Sequence, residues 1–221
     1  NFFIFPKFYE LNVDTTSILV DEQNENPFAG VILFNNKSLD YLDESKMTVN
    51  SLTPLMLHHF IRLLGFIEDV EGVFDSRIPY DYEKEVYYLP IEGEYNFTNV
   101  INYARKYFNC PEIKRIDLFY DQENVDEEGD PCQYAENNLY GLYWPKRFFL
   151  GELMTKYDYS EEKILSGFTL AFLDDLDYLR VKKNSTYFGG LMKFGKNKGC
   201  DFFFKNCGND SVSSSTFANE F

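Results

Sequence analysis

The chain has 221 residues, 44% hydrophobic and 19% aromatic, enough for one or two domains with a buried core. Its 36 acidic against 21 basic residues give a formal charge of -15, without the clustered Lys and Arg that neutralising nucleic-acid phosphates requires, so no nucleic-acid partner is expected. No stretch approaches the roughly 20 consecutive apolar residues of a membrane span.

The sequence starts at Asn1 with neither an initiator Met nor a signal-like apolar run, as expected of a processed or partly represented polypeptide. Short apolar runs at 2–5, 17–20 and 31–34, separated by turn chemistry at Asn24-Glu25-Asn26-Pro27 and Asn35-Asn36, predict strands or extended segments. Thr53-Pro54 then reads as an N-cap with Pro at the first helical position, opening a helix that runs to Leu64 and stops at Gly65. Apolar residues lie nearly all round it. The polar exceptions, His58, His59 and Arg62, therefore call for an explanation.

Residues 68–94 are acidic and Tyr-rich and read as loop. Thr98 can cap a helix to about Phe108 with Val100, Ile101, Ala104 and Phe108 on one face, and the alternation of Ile113, Ile116, Leu118 and Tyr120 predicts a strand after Pro111. The acidic run 121–130 lacks the spacing of a calcium loop and reads as a solvated loop. Trp144-Pro145 can open a further helix. Asp158 with Glu161 resembles a capping box and predicts a long helix to about Leu179, and the Ser-rich stretch 210–221 is expected to be mobile.

Four Asn-x-Ser/Thr sequons, at Asn36, Asn96, Asn184 and Asn209, and four cysteines, Cys110, Cys132, Cys200 and Cys207, fit a secretory route. Neither a CxxC pair nor a tight Cys/His cluster occurs, so the wide spacings favour disulfides over a zinc site.

Separated segments then carry a family resemblance. In order they are Pro27-Phe28-Ala29-Gly30-Val31-Ile32-Leu33-Phe34-Asn35, His58-His59-Phe60-Ile61-Arg62-Leu63-Leu64-Gly65-Phe66, Tyr103-Ala104-Arg105-Lys106-Tyr107-Phe108-Asn109-Cys110-Pro111, and Gly141-Leu142-Tyr143-Trp144-Pro145-Lys146-Arg147 with Glu152-Leu153-Met154-Thr155. Thr169-Leu170-Ala171 and Gly199-Cys200-Asp201-Phe202 follow. Together, over roughly 27–207, they resemble the leishmanolysin-like zinc metallopeptidases, a metzincin family. The resemblance implies an α+β metzincin-like scaffold: 1–66 as the end of an N-terminal subdomain with the active-site helix, 67–200 as a central subdomain with the Met-turn, and 201–221 as the start of a C-terminal region.

In such enzymes two His at i and i+4 on one helical face, with a third His, hold zinc. A Glu after the first His serves as general base. Here His58 stands at the first ligand position, His59 at the Glu position, Arg62 at the second ligand position and Tyr143 at the third. A guanidinium stays protonated and has no lone pair to give, so Arg62 is expected to exclude the metal. His59 is expected to accept a proton near neutral pH without a metal-bound water to activate. Met154 falls at the Met-turn position, with packing its expected role. Arg62 is further expected to replace zinc structurally, its guanidinium reaching toward Tyr143 and a nearby carbonyl or carboxylate.

The resemblance also implies a Cys110–Cys200 disulfide and a downstream partner for Cys207. Cys132 is left free, or paired with Cys207 or another polypeptide. The favoured reading is a noncatalytic structural or protein-binding component without a cofactor, extracellular, on a cell surface or in the secretory lumen. The old cleft could still hold an extended peptide at a sheet edge. Other segments of the same polypeptide or other subunits are expected to complete residues 1–66. One alternative is an active zinc metalloendopeptidase; another is an architectural subunit using an aromatic surface at 80–88.

Overall fold

The computed structural model describes residues 15–20, 27–33, 49–66, 77–121, 141–156, 163–181 and 192–205. The expected strand at 2–5, the acidic loop beyond 121, the Ser-rich stretch 210–221, Cys132, Cys207, Asn36, Asn184 and Asn209 lie outside them. The elements are mixed α and β, as expected.

Strands β1 (Thr15–Val20) and β2 (Pro27–Leu33) pair antiparallel with a register shift at Leu19/Val20, and the ladder lies against helix α1 (Val49–Leu63). Helix α1 starts earlier than Thr53-Pro54 suggests, and Pro54 lies inside it. Proline here removes one backbone donor, and the turn before it is nonetheless helical. At the other end Gly65 takes φ of 106° and its N–H bonds the Arg62 carbonyl, turning the chain so that Phe66 enters the core with no exposed surface.

The stretch expected as loop contains strands β3 (Tyr80–Asp81) and β4 (Val86–Pro90), which form an antiparallel sheet in the order β3-β4-β5 with Arg115–Asp117. Tyr80 packs edge-on against Tyr82 and Tyr87, while Arg115 lies over Tyr88 and bonds Asp81 at 2.6 Å. The expected single strand at 113–120 is therefore two. At Leu118 the chain leaves β5, and β6 (Phe119–Asp121) pairs instead with β7 (Gly141–Tyr143).

Helix α2 (Thr98–Phe108) buries the expected face, Val100, Ile101, Ala104 and Phe108, together with Tyr107. Its cap differs from the expectation. No side chain at its N-cap residue accepts a bond; instead Asp175, at the end of helix α4 (Gly167–Asp175), accepts from the backbone N–H of Asn99 at 2.8 Å and of Val100 at 2.9 Å. Of the long helix expected from 158 to 179, the described residues 163–179 form only α4. Residues 163–166 are not helical, and Ser166 caps α4 by accepting from Phe168 N–H. Trp144-Pro145 opens only the four-residue helix α3 (Lys146–Phe149), and α5 (Gly199–Phe204) was not anticipated.

Helices α2 and α4 pack together around an aromatic core in which Phe66, Phe97, Phe108, Trp144, Phe149, Phe168 and Phe172 have no more than 2% exposure. The Cys110–Cys200 disulfide forms as expected, joining the end of α2 to the start of α5. The Tyr107 hydroxyl lies between the Met192 and Phe194 carbonyls at 2.9 and 2.8 Å, fastening the segment before α5 to the same helix.

Candidate functional site

Spacing four on α1 places His58 and Arg62 on one helical face, and that face meets the 141–155 segment. His58 is 3% exposed, His59 5% and Arg62 4%. The neutral His58 ring donates from Nδ1 to the Leu153 carbonyl at 2.9 Å, fixing one tautomer and tying the helix to the turn before Met154. Tyr143, brought in by β7, stacks on His58 at 5.9 Å between ring centroids and 21° between planes. The Arg62 guanidinium lies over the same Tyr143 ring, its Cζ 4.9 Å from the centroid.

The expected approach of Arg62 to Tyr143 is thus a cation–π contact. The expected carbonyl or carboxylate partner is not found for two of its atoms: Nε and Nη2 are buried and have no hydrogen-bond partner. His59 stands edge-on to His58 at 5.5 Å. Burial foremost, then the charge on Arg62, depresses the His59 pKa to about 3; His58 is likewise pushed well below the ordinary histidine range. The expectation that His59 takes up a proton near neutral pH is therefore corrected, because desolvation and a cation one turn away both penalise the imidazolium. Among the described residues, no three His, Cys, Asp or Glu side chains converge as a metal-binding group.

Met154 is fully buried, and its carbonyl accepts from Trp144 N–H at 2.8 Å, so the turn carrying it is laced directly to the strand end carrying Tyr143. Beneath it lies a group whose role sequence reasoning missed. Glu152 has no exposed surface; its Oε1 accepts from Thr169 Oγ1 at 2.5 Å and from Ser166 Oγ at 3.0 Å and N–H at 3.3 Å, and its Oε2 accepts from Met154 N–H. Thr169 in turn accepts from Trp144 Nε1 at 2.9 Å. Burial raises the Glu152 pKa to about 7, against the hydrogen bonds that lower it. The available signal was a lone carboxylate beside apolar Leu153 and Met154. A buried acid there must be answered by hydroxyls elsewhere in the chain.

Compared with known families, residues 15–219 match leishmanolysin. The chain belongs to the leishmanolysin family. Over 105 residues it is 30% identical to a leishmanolysin-like peptidase of Caenorhabditis elegans and to one of Caenorhabditis briggsae; the match covers 48% of this chain and only 13% of each relative. His58, Arg62 and Tyr143, the residues expected at the ligand positions, do come together, with the Met154 turn beside them. Asn96, the described sequon, is exposed, and its Oδ1 accepts from Thr98 Oγ1 at 3.0 Å. No helix among the described residues is long and apolar enough to cross a membrane.

Proposed function

We propose that this chain is a noncatalytic leishmanolysin-family component that uses the peptidase scaffold for structure or protein binding. The observation that carries this reading is the buried Arg62 guanidinium over the Tyr143 ring, the residues that the family resemblance assigns to the second and third ligand positions. A zinc ion does not fit such a set: His58 alone offers an imidazole, and a permanent cation stands where the dication's next ligand belongs. The base position fares no better. An imidazole with a pKa near 3 is too weak to draw a proton from water at neutral pH.

The Cys110–Cys200 disulfide supports a secretory, lumenal or cell-surface location. Tyr82, 87% exposed beside Tyr80, offers an aromatic contact surface for the protein partners of this reading.

The test compares the purified protein with a variant carrying His59→Glu, Arg62→His and Tyr143→His. Elemental analysis should find no stoichiometric zinc in the natural protein and zinc in the variant, and the natural protein should leave a broad peptide pool uncut with zinc added. One bound zinc per natural chain, with cleavage that a chelator abolishes, would return the protein to the active peptidases.

A further inference from the structure

This inference rests on the noncatalytic reading and asks what the altered centre recognises. Arg62 is 4% exposed, and its two unpartnered atoms are Nε and Nη2. In a planar guanidinium those two nitrogens share one edge and point a pair of N–H bonds the same way, the fork that a carboxylate meets with two parallel hydrogen bonds. The guanidinium already lies over the Tyr143 ring, its Cζ 4.9 Å from the centroid, and that contact leaves the N–H groups of the Nε/Nη2 edge without an acceptor. A buried cation with two unmet donors is uncommon in folded proteins because neither water nor an acceptor offsets its desolvation.

We infer that the Nε/Nη2 edge of Arg62 is a binding site for a carboxylate, supplied by a small free acid or by an acidic side chain or C-terminus of a bound peptide. The centre thereby reverses its sign of recognition: where leishmanolysins place a cation among neutral ligands, this chain provides the cation itself and accepts an anion.

The test uses the whole protein labelled with 15N-arginine, titrated with sodium acetate at ionic strength held constant by sodium chloride. Arg62→Lys, which keeps the charge and loses the fork, and Arg62→Met identify the Arg62 Nε–H resonance by its disappearance. That resonance should move saturably with acetate, and at about ten times Kd the thermal midpoint should rise by about 3–6 °C in the natural protein and stay unchanged in Arg62→Lys. A short extended peptide with one Glu, compared with its Gln counterpart, separates the sources. A tenfold or greater preference for Glu, with acetate competing, assigns a bound peptide; acetate binding without that preference assigns a free acid. An Arg62 resonance unmoved by acetate, or moved equally by chloride, overturns the inference. If neither variant folds, that resonance in the natural protein, assigned through its couplings to the Arg62 backbone, still decides. Zinc in the purified protein would bring down the noncatalytic reading instead, so the two failures are distinguishable.

Discussion

Arg62 and Glu152 are buried ionisable groups of opposite sign, and the interior treats them differently. Glu152 is surrounded by donors; Arg62 has the face of an aromatic ring and two open N–H groups. Replacing Arg62 by Met fills similar volume without a charge, and in carboxylate-free buffer Arg62→Met should be more stable by about 1–4 kcal/mol in urea unfolding. A loss of comparable size would mean that the guanidinium is satisfied. Glu152 makes a prediction about pH. Between about 4.5 and 7 the folded protein holds a proton on Glu152 that the unfolded chain releases, so this group's contribution is full below 4.5 and is lost as pH rises through 7. His58 and His59 act in the opposite sense: their contribution is full above 6.5 and is lost as pH falls through their depressed pKa values, about 3 for His59. Glu152→Gln removes the first slope and leaves the second. From pH 4.5 to 6.5 its unfolding free energy should climb more steeply than that of the natural protein, by about one proton in the linkage slope. Parallel curves would show Glu152 ionised throughout. None of this was readable from residue types, because the distance from Glu152 to Ser166 and Thr169 is set by tertiary packing, while the meeting of His58, Arg62 and Tyr143 followed from the family's motif order.

At the scale of elements, helix α2 shows both what periodicity conveys and what it omits. Its buried face could be read from residues spaced for one side of a helix, since that spacing is a local property. Its N-terminal bonds could not, because the acceptor is Asp175, 75 residues beyond Val100. Asp175→Ala should cost about 1–2 kcal/mol, while Asp175→Asn, which keeps an acceptor, should recover part of it; chemical denaturation of both variants measures the difference. Equal losses would assign the effect to charge at the helix end. The β3-β4-β5 sheet was missed for a related reason. Tyr, Val and acidic residues in short runs do not alternate long enough to mark strands of two and five residues, and partners across the sheet supply the order. Likewise Ile116 and Leu118 keep one alternation across a point where the chain changes sheets. The expected helix ran straight through Ser166, whose hydroxyl caps α4, because a capping pattern at 158–161 carries similar chemistry.

For the molecule as a whole, α2 is the strut to which the later chain returns. The disulfide closes a loop with a sequence separation of 90 residues, and the chain-entropy model assigns such a loop about 4–5 kcal/mol. Cys110→Ser with Cys200→Ser should lower urea stability by roughly that amount. A loss under about 1 kcal/mol would show that Tyr107 and its neighbours hold the segment before α5 unaided. The Asp175 cap adds an order in time. A ribosome adding about 5–20 residues per second delivers the carboxylate about 4–15 s after the first turn of α2 has been made. Until then that turn keeps its leading amides in water, and an 11-residue segment, short for a helix standing alone, waits for an acceptor still to be synthesised.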